Sequence, residues 1–536
     1  MNFSILLLLG SILVPAVVSV ILFCGYPRSE NLVFRLGYLA FGFPCLAGII
    51  LFLQFDSTVS GYCFEFLIQR MGLQELGITF HLGLNGVSSP LFAMAGIVGL
   101  GAGLTAIHSG AERMRLYLAL LALMQSGLMG LFASVDLFFF YLFHEFALIP
   151  TFIMIGLWGG RDRRSISLEI TIYLTLGALV SLCGLVALNA MVDSPKFDFP
   201  SLSAALAETS ISKASATTIF GLLLFGFGIL VALFPFHTWA PRGYESAPTS
   251  VSMLHAGVLK KFGLYGLLQI ASPLLPEAAF DWSEIILWLA LGNVILVGFV
   301  TMAQDNLKSM IGYGSVMHMG YCFLGIGACS ALGAGSAVLL MCAHGLSVAL
   351  MFLLAHFIYK RTGTYDMNKM GGLASRTPIL GCFIVAGTLA TIGLPGFGNF
   401  WGEFGIFLSL GEMTENRFFL GIAALGIIIS AIFGLRAVAR ILYGSPSEEL
   451  EKHLEKNFPT DLSRTELFSS GFILTALTLI GLFPSSISHR IDGEIASRYA
   501  IFQMVQESSG RPSCCPIEDG TDDLVDTNKE SSLNNP

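Results

Sequence analysis

Five side chains that carry or exchange protons stand deep inside apolar runs of this chain: Glu145, Lys261, His318, His344 and Glu403. An ionisable group in a membrane-length apolar run is costly, and is a functional-site hypothesis by default. Burial raises a carboxylic acid's pKa and an opposite charge lowers it, so its proton affinity is tunable. Histidine exchanges protons near neutral pH. Two acids, a lysine and two histidines in series supply what a proton relay needs.

Each residue also has a plainer reading. Glu145, in VDLFFFYLFHEFALIPTFIMIGLWGG, has as its plainer reading a neutral acid hydrogen-bonded to a neighbouring helix. His144 points about 100° around the helix from Glu145, shares no face with it, and reads as a packing histidine. Lys260 and Lys261 cannot both face one cavity; one lines a polar interior and the other snorkels or pairs. His318, in SVMHMGYCF, or His344, in MCAHGLSVAL, taken singly, is an ordinary packing residue. Lys308 opens its run and reads also as a membrane-end anchor. His237, His255 and His356 stay ambiguous. The distribution of these groups over successive runs is what favours the relay.

Two interruptions must position them. FPFHTWAPRGYESAPTSVSMLHAGVLKKFGLYGL, Phe234 to Leu267, breaks one apolar run at Pro235 and leads into the run holding His255, Lys260 and Lys261. LPGFGNFWGEF from Leu394 breaks another at Pro395 and Gly396, just before Glu403. Proline removes a backbone donor. Broken backbone at membrane depth survives only where protein or a water-filled cavity satisfies it.

The composition places these features in a membrane. Of 536 residues, 54% are hydrophobic and 12% charged, against about 25% charged in soluble domains; mean hydropathy is +0.75. Apolar runs of about twenty residues predict an all-α polytopic protein of about fourteen spans. They fall at 3–24, 33–54, 86–107, 115–134, 136–158, 170–192, 218–239, 249–271, 284–303, 307–329, 331–359, 377–411, 417–443 and 465–486, with loops at 55–85 and 193–216. The run from Phe3 to Phe23 reads as a span rather than a signal peptide, since no positive charge precedes it. Arg28, Arg113, Arg115, Arg161, Arg163, Arg164, Arg242, Lys308, Lys360, Arg361, Lys369, Arg376, Lys452, Lys456 and Arg464 follow odd-numbered spans; few cations beyond Arg70, Lys196, Lys213 and Arg417 follow even ones. The positive-inside rule then puts both termini outside.

The breaks in spans seven and twelve are five spans apart. Five is odd, so the second unit is inverted relative to the first, a recurring transporter plan. The expected divisions are an N-terminal three-helix segment at 1–110, a first repeat at 111–275, an inverted second repeat at 276–445, a loop and last helix at 446–500, and a polar acidic tail at 501–536. The tail cannot bury enough apolar surface to order itself, and contributes to the net charge of −8. No basic run supports nucleic-acid binding. The ten cysteines show no metal spacing; most sit in apolar runs as small hydrophobes, and Cys514–Cys515 lies in the tail. No metal, cofactor or nucleophile motif appears.

These motifs, with AQDNLKSMIGYGSVMHMGY, AHGLSVALMF and MGGLASRTP, resemble the antiporter-like membrane subunits of respiratory complex I, with relatives in photosynthetic complex I and in multisubunit cation/proton antiporters. The resemblance covers roughly residues 85 to 440. It is nearest to the M-type subunit, the counterpart of mitochondrial subunit four: only a short tail follows span fourteen, and Glu403 stands where L- and N-type subunits usually carry lysine. The resemblance implies two inverted five-helix units and a proton path through Glu145, Lys261, His318, His344 and Glu403. It implies membrane-arm partners of L and N type in a quinone oxidoreductase using NADH or another donor, with flavin, iron–sulfur clusters and quinone in other subunits and no redox centre here. A bacterial inner membrane is the expected location. One departure stands out. The family's span-seven lysine, partner of the span-five glutamate, falls at or near Leu230, and nothing from Thr218 to Pro235 ionises. His144, His255 or Lys260 substitutes for it, or the first half-channel is dead and the subunit is structural. A sodium/proton antiporter subunit is the third reading.

Overall fold

The computed structural model describes residues 2–25, 29–58, 61–68, 77–192, 196–209, 211–413, 417–456 and 460–508. Arg28, Arg70, Cys514, Cys515 and the acidic residues beyond 508 lie outside them. The chain is a helical bundle with an apolar core and, unlike a soluble protein, an apolar outer face as well. α1 (Phe3–Phe23) and α2 (Glu30–Gln54) expose Leu6, Leu13, Val17, Leu46 and Leu53 at the periphery. In a bilayer those apolar faces meet lipid tails at no cost.

α3 (Ser88–Ile107), α4 (Met114–Ala133), α5 (Leu137–Trp158) and α6 (Arg163–Val192) follow. The expected loop 55–85 instead holds a hairpin, β1 (Cys63–Ile68) antiparallel to β2 (Phe80–Leu84). Asp136 fixes it: its carboxylate caps α5 by accepting from Phe138 N at 2.9 Å and also accepts from Thr79 N at 3.0 Å. The expected loop 193–216 holds α7 (Phe199–Glu208), capped by Asp198. Both stretches are too short in apolar run to read as spans, and each folds as a short element at the bundle's end.

α8 (Lys213–Val231) breaks before α9 (Trp239–Ser246). α10 (249–274) is helical but carries π-helical turns at His255–Leu259 and Leu267–Ala271. α11 (Pro276–Met302) starts earlier than expected and has a third such turn at Gly292–Val297. α12 (Leu307–Gly327) and α13 (Ala331–Thr362) follow, and α13 is buried along its hydrophobic length at the bundle's centre. Span twelve is two helices, α14 (Pro378–Ile392) and α15 (Gly398–Glu412). α16 (Arg417–Leu442), α17 (Glu448–Lys456), α18 (Arg464–Leu482) and α19 (Ser485–Ser508) complete the described chain.

Among the described residues, eleven helices are long and apolar enough to cross a membrane. The other three expected spans are α10, with its two lysines; α12, with its polar residues; and α14–α15, halved by its break. These are the segments holding Lys260, Lys261, His318 and Glu403, and their polarity is why hydropathy and length do not distinguish them. α19 has no counterpart among the expected spans: it continues past residue 500 as a partly polar helix against the bundle end.

The two breaks are built alike. Ala232 takes a left-handed φ of 72° and Leu233 N donates to Gly228 O at 2.8 Å; Gly393 takes φ 85° and Leu394 N donates to Leu389 O at 3.0 Å. Both are six-to-one closures of the helix end of the Schellman kind. The freed backbone is satisfied by protein, as membrane depth demands. Asn293, in the π-helical turn of α11, accepts from Phe234 N at 2.6 Å and donates to Ala232 O and Val316 O at 3.0 Å each. Trp239 Nε1 donates to Ile229 O at 3.1 Å. At the second break Trp401 Nε1 donates to Gly481 O at 2.7 Å. α6 packs along α8 and α13 along α15 in the same manner.

Candidate functional site: a buried file of acids and bases

α10 delivers Lys261 to the centre. Its ammonium, with no exposed surface, donates to Ala256 O at 2.7 Å and meets His344 Nδ1 at 3.0 Å. The π-helical turn at 255–259 opens the backbone ladder just where Ala256 O is needed, a placement common at functional sites. The His344 ring on α13 lies 5.7 Å, centre to centre, from the His318 ring on α12. His318 Nδ1 lies 3.3 Å from Glu403 Oε1 on α15. Lys261, His344, His318 and Glu403 therefore form one continuous file across four helices. All four are 4% exposed or less.

The second break holds the far end. A Cβ at Gly393 would sit 2.4 Å from Glu403 Oε2, so a glycine is required for the break to close over the acid. His318 Nε2 and Glu403 Oε1 have no hydrogen-bond partner within the protein. A buried polar atom without a partner in the protein is expensive.

Lys260 takes a separate direction. Its ammonium donates to Ser315 Oγ at 2.8 Å and sits 5.6 Å from the Tyr244 ring centre. Both adjacent lysines stay buried, and neither snorkels. His255 stacks on Trp239 at 5.5 Å. His237 stacks on Phe234 at 5.6 Å at the half-buried first break. Lys308 donates to Glu245 O at 3.1 Å and to Ala247 O, closing the carbonyl end of α9. His356 lies at the opposite end of the bundle from the hairpin, in a cavity shared with His108 and Glu466.

Glu145 stands apart. Its side chain is 27% exposed at the bundle surface, and its one ion-pair partner among the described residues is His144, at 3.5 Å. His144 itself stacks on Phe262 of α10 at 4.0 Å. The ~100° separation holds for the Cβ directions, yet the imidazole edge still reaches the carboxylate. Leu230 lies 4% exposed among apolar neighbours. Asn293 and Gly393 escaped sequence reasoning; the signals that pointed to them were the unsatisfied backbone implied by Pro235 and the glycine preceding LPG.

Two broken helices crossing a bundle, with a lysine–histidine–histidine–glutamate file between them, define the architecture of an antiporter-like membrane protein. Residues 134–434 match the family described as NADH:quinone oxidoreductase/Mrp antiporter, TM, and the chain belongs to it. It is 31% identical over 443 residues to the NADH-quinone oxidoreductase subunit M of Rickettsia felis, covering 82% of this chain and 87% of that one. It is 31% identical over 434 residues to an NAD(P)H-quinone oxidoreductase chain 4 of Trichormus variabilis, covering 80% and 79%. Among solved structures, a chain of Thermus thermophilus respiratory complex I superposes with TM-score 0.81 at 27% identity, covering 93% of this chain and 100% of that one. A chain of the Mrp complex from Dietzia shares the fold, with TM-score 0.80 at 16% identity, covering 94% and 99%.

Proposed function

We propose that this chain is a proton-translocating membrane-arm subunit of a complex I-like NADH-quinone oxidoreductase. The continuous file from Lys261 through His344 and His318 to Glu403 carries the reading. Electron transfer takes place in other subunits, which hold flavin, iron–sulfur clusters and quinone. It changes the proton affinity of the file, and a proton passes sideways between the two breaks. Residues 111–275 and 276–445 act as the two inverted halves, each containing a broken helix, with 1–110 and 446–500 bracing them. The neighbours are an L-type and an N-type subunit, and Glu145, part-exposed at the bundle's surface, faces one of them. The membrane is a bacterial inner membrane with both termini outside.

One observation favours a second reading. Among the described residues Glu145 has no lysine partner, its ion-pair contact being His144, which suits a subunit whose first half-channel no longer conducts and which links its neighbours structurally. Lys261→Ala and Glu403→Ala in the intact complex separate the two. Pumping predicts a lower donor-driven proton uptake per donor oxidised in membrane vesicles; unchanged uptake with normal assembly supports the structural role. Uptake that requires sodium instead would favour the antiporter reading, to which the Mrp-like fold is equally suited.

A further inference from the structure

The file has no described way out at Lys261, yet the same helix carries a polar column onward to the bundle end. Tyr265 and Gln269 follow Lys261 at four-residue steps along α10, so the three share a face. Tyr265 is fully buried between Phe132 and Phe140, and its hydroxyl has no hydrogen-bond partner among the described residues. Gln269, 2% exposed, is the hub of a cluster. With its amide oxygen turned inward it accepts from Asn85 Nδ2 at 2.8 Å, from Tyr62 Oη at 2.9 Å and from Arg498 at 3.1 Å. Asn85 Nδ2 also reaches Glu494 Oε1 at 3.4 Å, and Glu494 is paired with Arg498 at 2.5 Å.

Glu494 and Arg498 belong to α19, and with Tyr62 and Gln269 they line a cavity of about 510 Å³ open at that end. The hairpin, α7 and α19 all meet there. A structural bundle end needs no buried asparagine, glutamine and ion pair stacked beneath an open cavity. Burying polar groups is costly unless they are joined, and here Asn85, Tyr62, Glu494 and Arg498 are joined around Gln269, on the helix that also carries the buried Lys261.

The geometry points to a proton outlet from Lys261 through Tyr265, Gln269 and Asn85 to Glu494 and the cavity, with the Arg498–Glu494 pair of α19 as its stopper. This rests on the proposed pumping role. In the step itself the Lys261 ammonium gives up a proton and becomes neutral. The Tyr265 hydroxyl accepts one proton and releases its own. The amides of Gln269 and Asn85 order water between Tyr265 and Glu494. The Glu494 carboxylate takes the proton when Arg498 swings aside, and passes it to water in the cavity.

Donor-driven proton uptake per donor oxidised, measured on the intact complex in vesicles, tests it. Tyr265→Phe removes one oxygen and keeps the ring's packing. Gln269→Leu removes the polar hub, and Gln269→Glu restores polarity. The outlet predicts that Tyr265→Phe and Gln269→Leu each lower the ratio by the same step as Lys261→Ala, and that Gln269→Glu recovers it. If Lys261→Ala lowers the ratio while Tyr265→Phe leaves it at the unmodified value, the outlet is wrong and the pumping role stands. If Lys261→Ala leaves the ratio unchanged, pumping fails and the outlet with it. Should Gln269→Leu not assemble, Tyr265→Phe alone decides.

Discussion

The two left-handed residues at the breaks behave oppositely. Ala232 has φ 72° and Gly393 has φ 85°. A left-handed conformation costs a residue with a Cβ roughly 1–2 kcal/mol, so Ala232→Gly is expected to raise stability by about 1 kcal/mol, seen as a higher denaturation midpoint of the purified complex. Gly393→Ala adds the same strain and drives a Cβ against Glu403 Oε2. It is expected to cut proton uptake per donor oxidised more than it lowers assembly, because the atom displaced is the acid itself. Asn293→Leu leaves Phe234 N–H and Ala232 C=O without partners. At about 1–3 kcal/mol for each unsatisfied group, the complex carrying it should denature several degrees earlier. At this scale the sequence was most legible for charge: a lysine or glutamate in an apolar run declares itself. Uncharged supports do not. Asn293 looks like any helix polar residue until the chain it mends, about 60 positions earlier, is folded beside it.

Among the elements, breaks were legible and loops were not. Pro235 and Pro395 mark helix interruption through the missing donor, whereas the hairpin at 63–84 depends on Asp136, which reads as a loop residue. Asp136→Ala removes both the α5 cap and the tether to Thr79. The cap alone is worth about 1 kcal/mol, and faster proteolysis within residues 61–84 should report the loosened hairpin. α18 is docked by charges that sequence placed in a loop. Arg361, 6% exposed, donates to Glu466 Oε2 at 2.8 Å, with Lys360 at 3.0 Å on the other oxygen. Glu466→Ala strands a buried guanidinium and is expected to cost about 3 kcal/mol, partly offset by the Thr460 and Asp461 carbonyls that Arg361 retains. Weakened detergent stability of the subunit would report it. α19 escaped detection because it mixes apolar and charged residues at a density typical of surface chain.

For the whole molecule, the file runs across the bundle while its helices run along it. That crossing is why a proton path could be inferred as a set of residues but not as a sequence of contacts. Lys261, His344, His318 and Glu403 come from four helices, and their order is a property of packing. Glu145 shows the limit from the other side: equal in sequence to the rest, it sits at the perimeter with His144. Its contribution therefore depends on what covers that surface. Glu145→Gln is expected to affect uptake less than Glu403→Gln, and the comparison of both variants in one vesicle preparation checks it.

The π-helical turn at Leu267–Ala271 makes chain length, as well as chemistry, an adjustable quantity. Such a turn holds one residue more than an α-turn. Removing a single residue there would restore an α-turn and leave both Lys261 and the helix beyond the turn in place. A one-codon deletion just before Gln269 would then re-aim that one side chain within the turn, away from Asn85, while every side chain of the central file kept its identity and place.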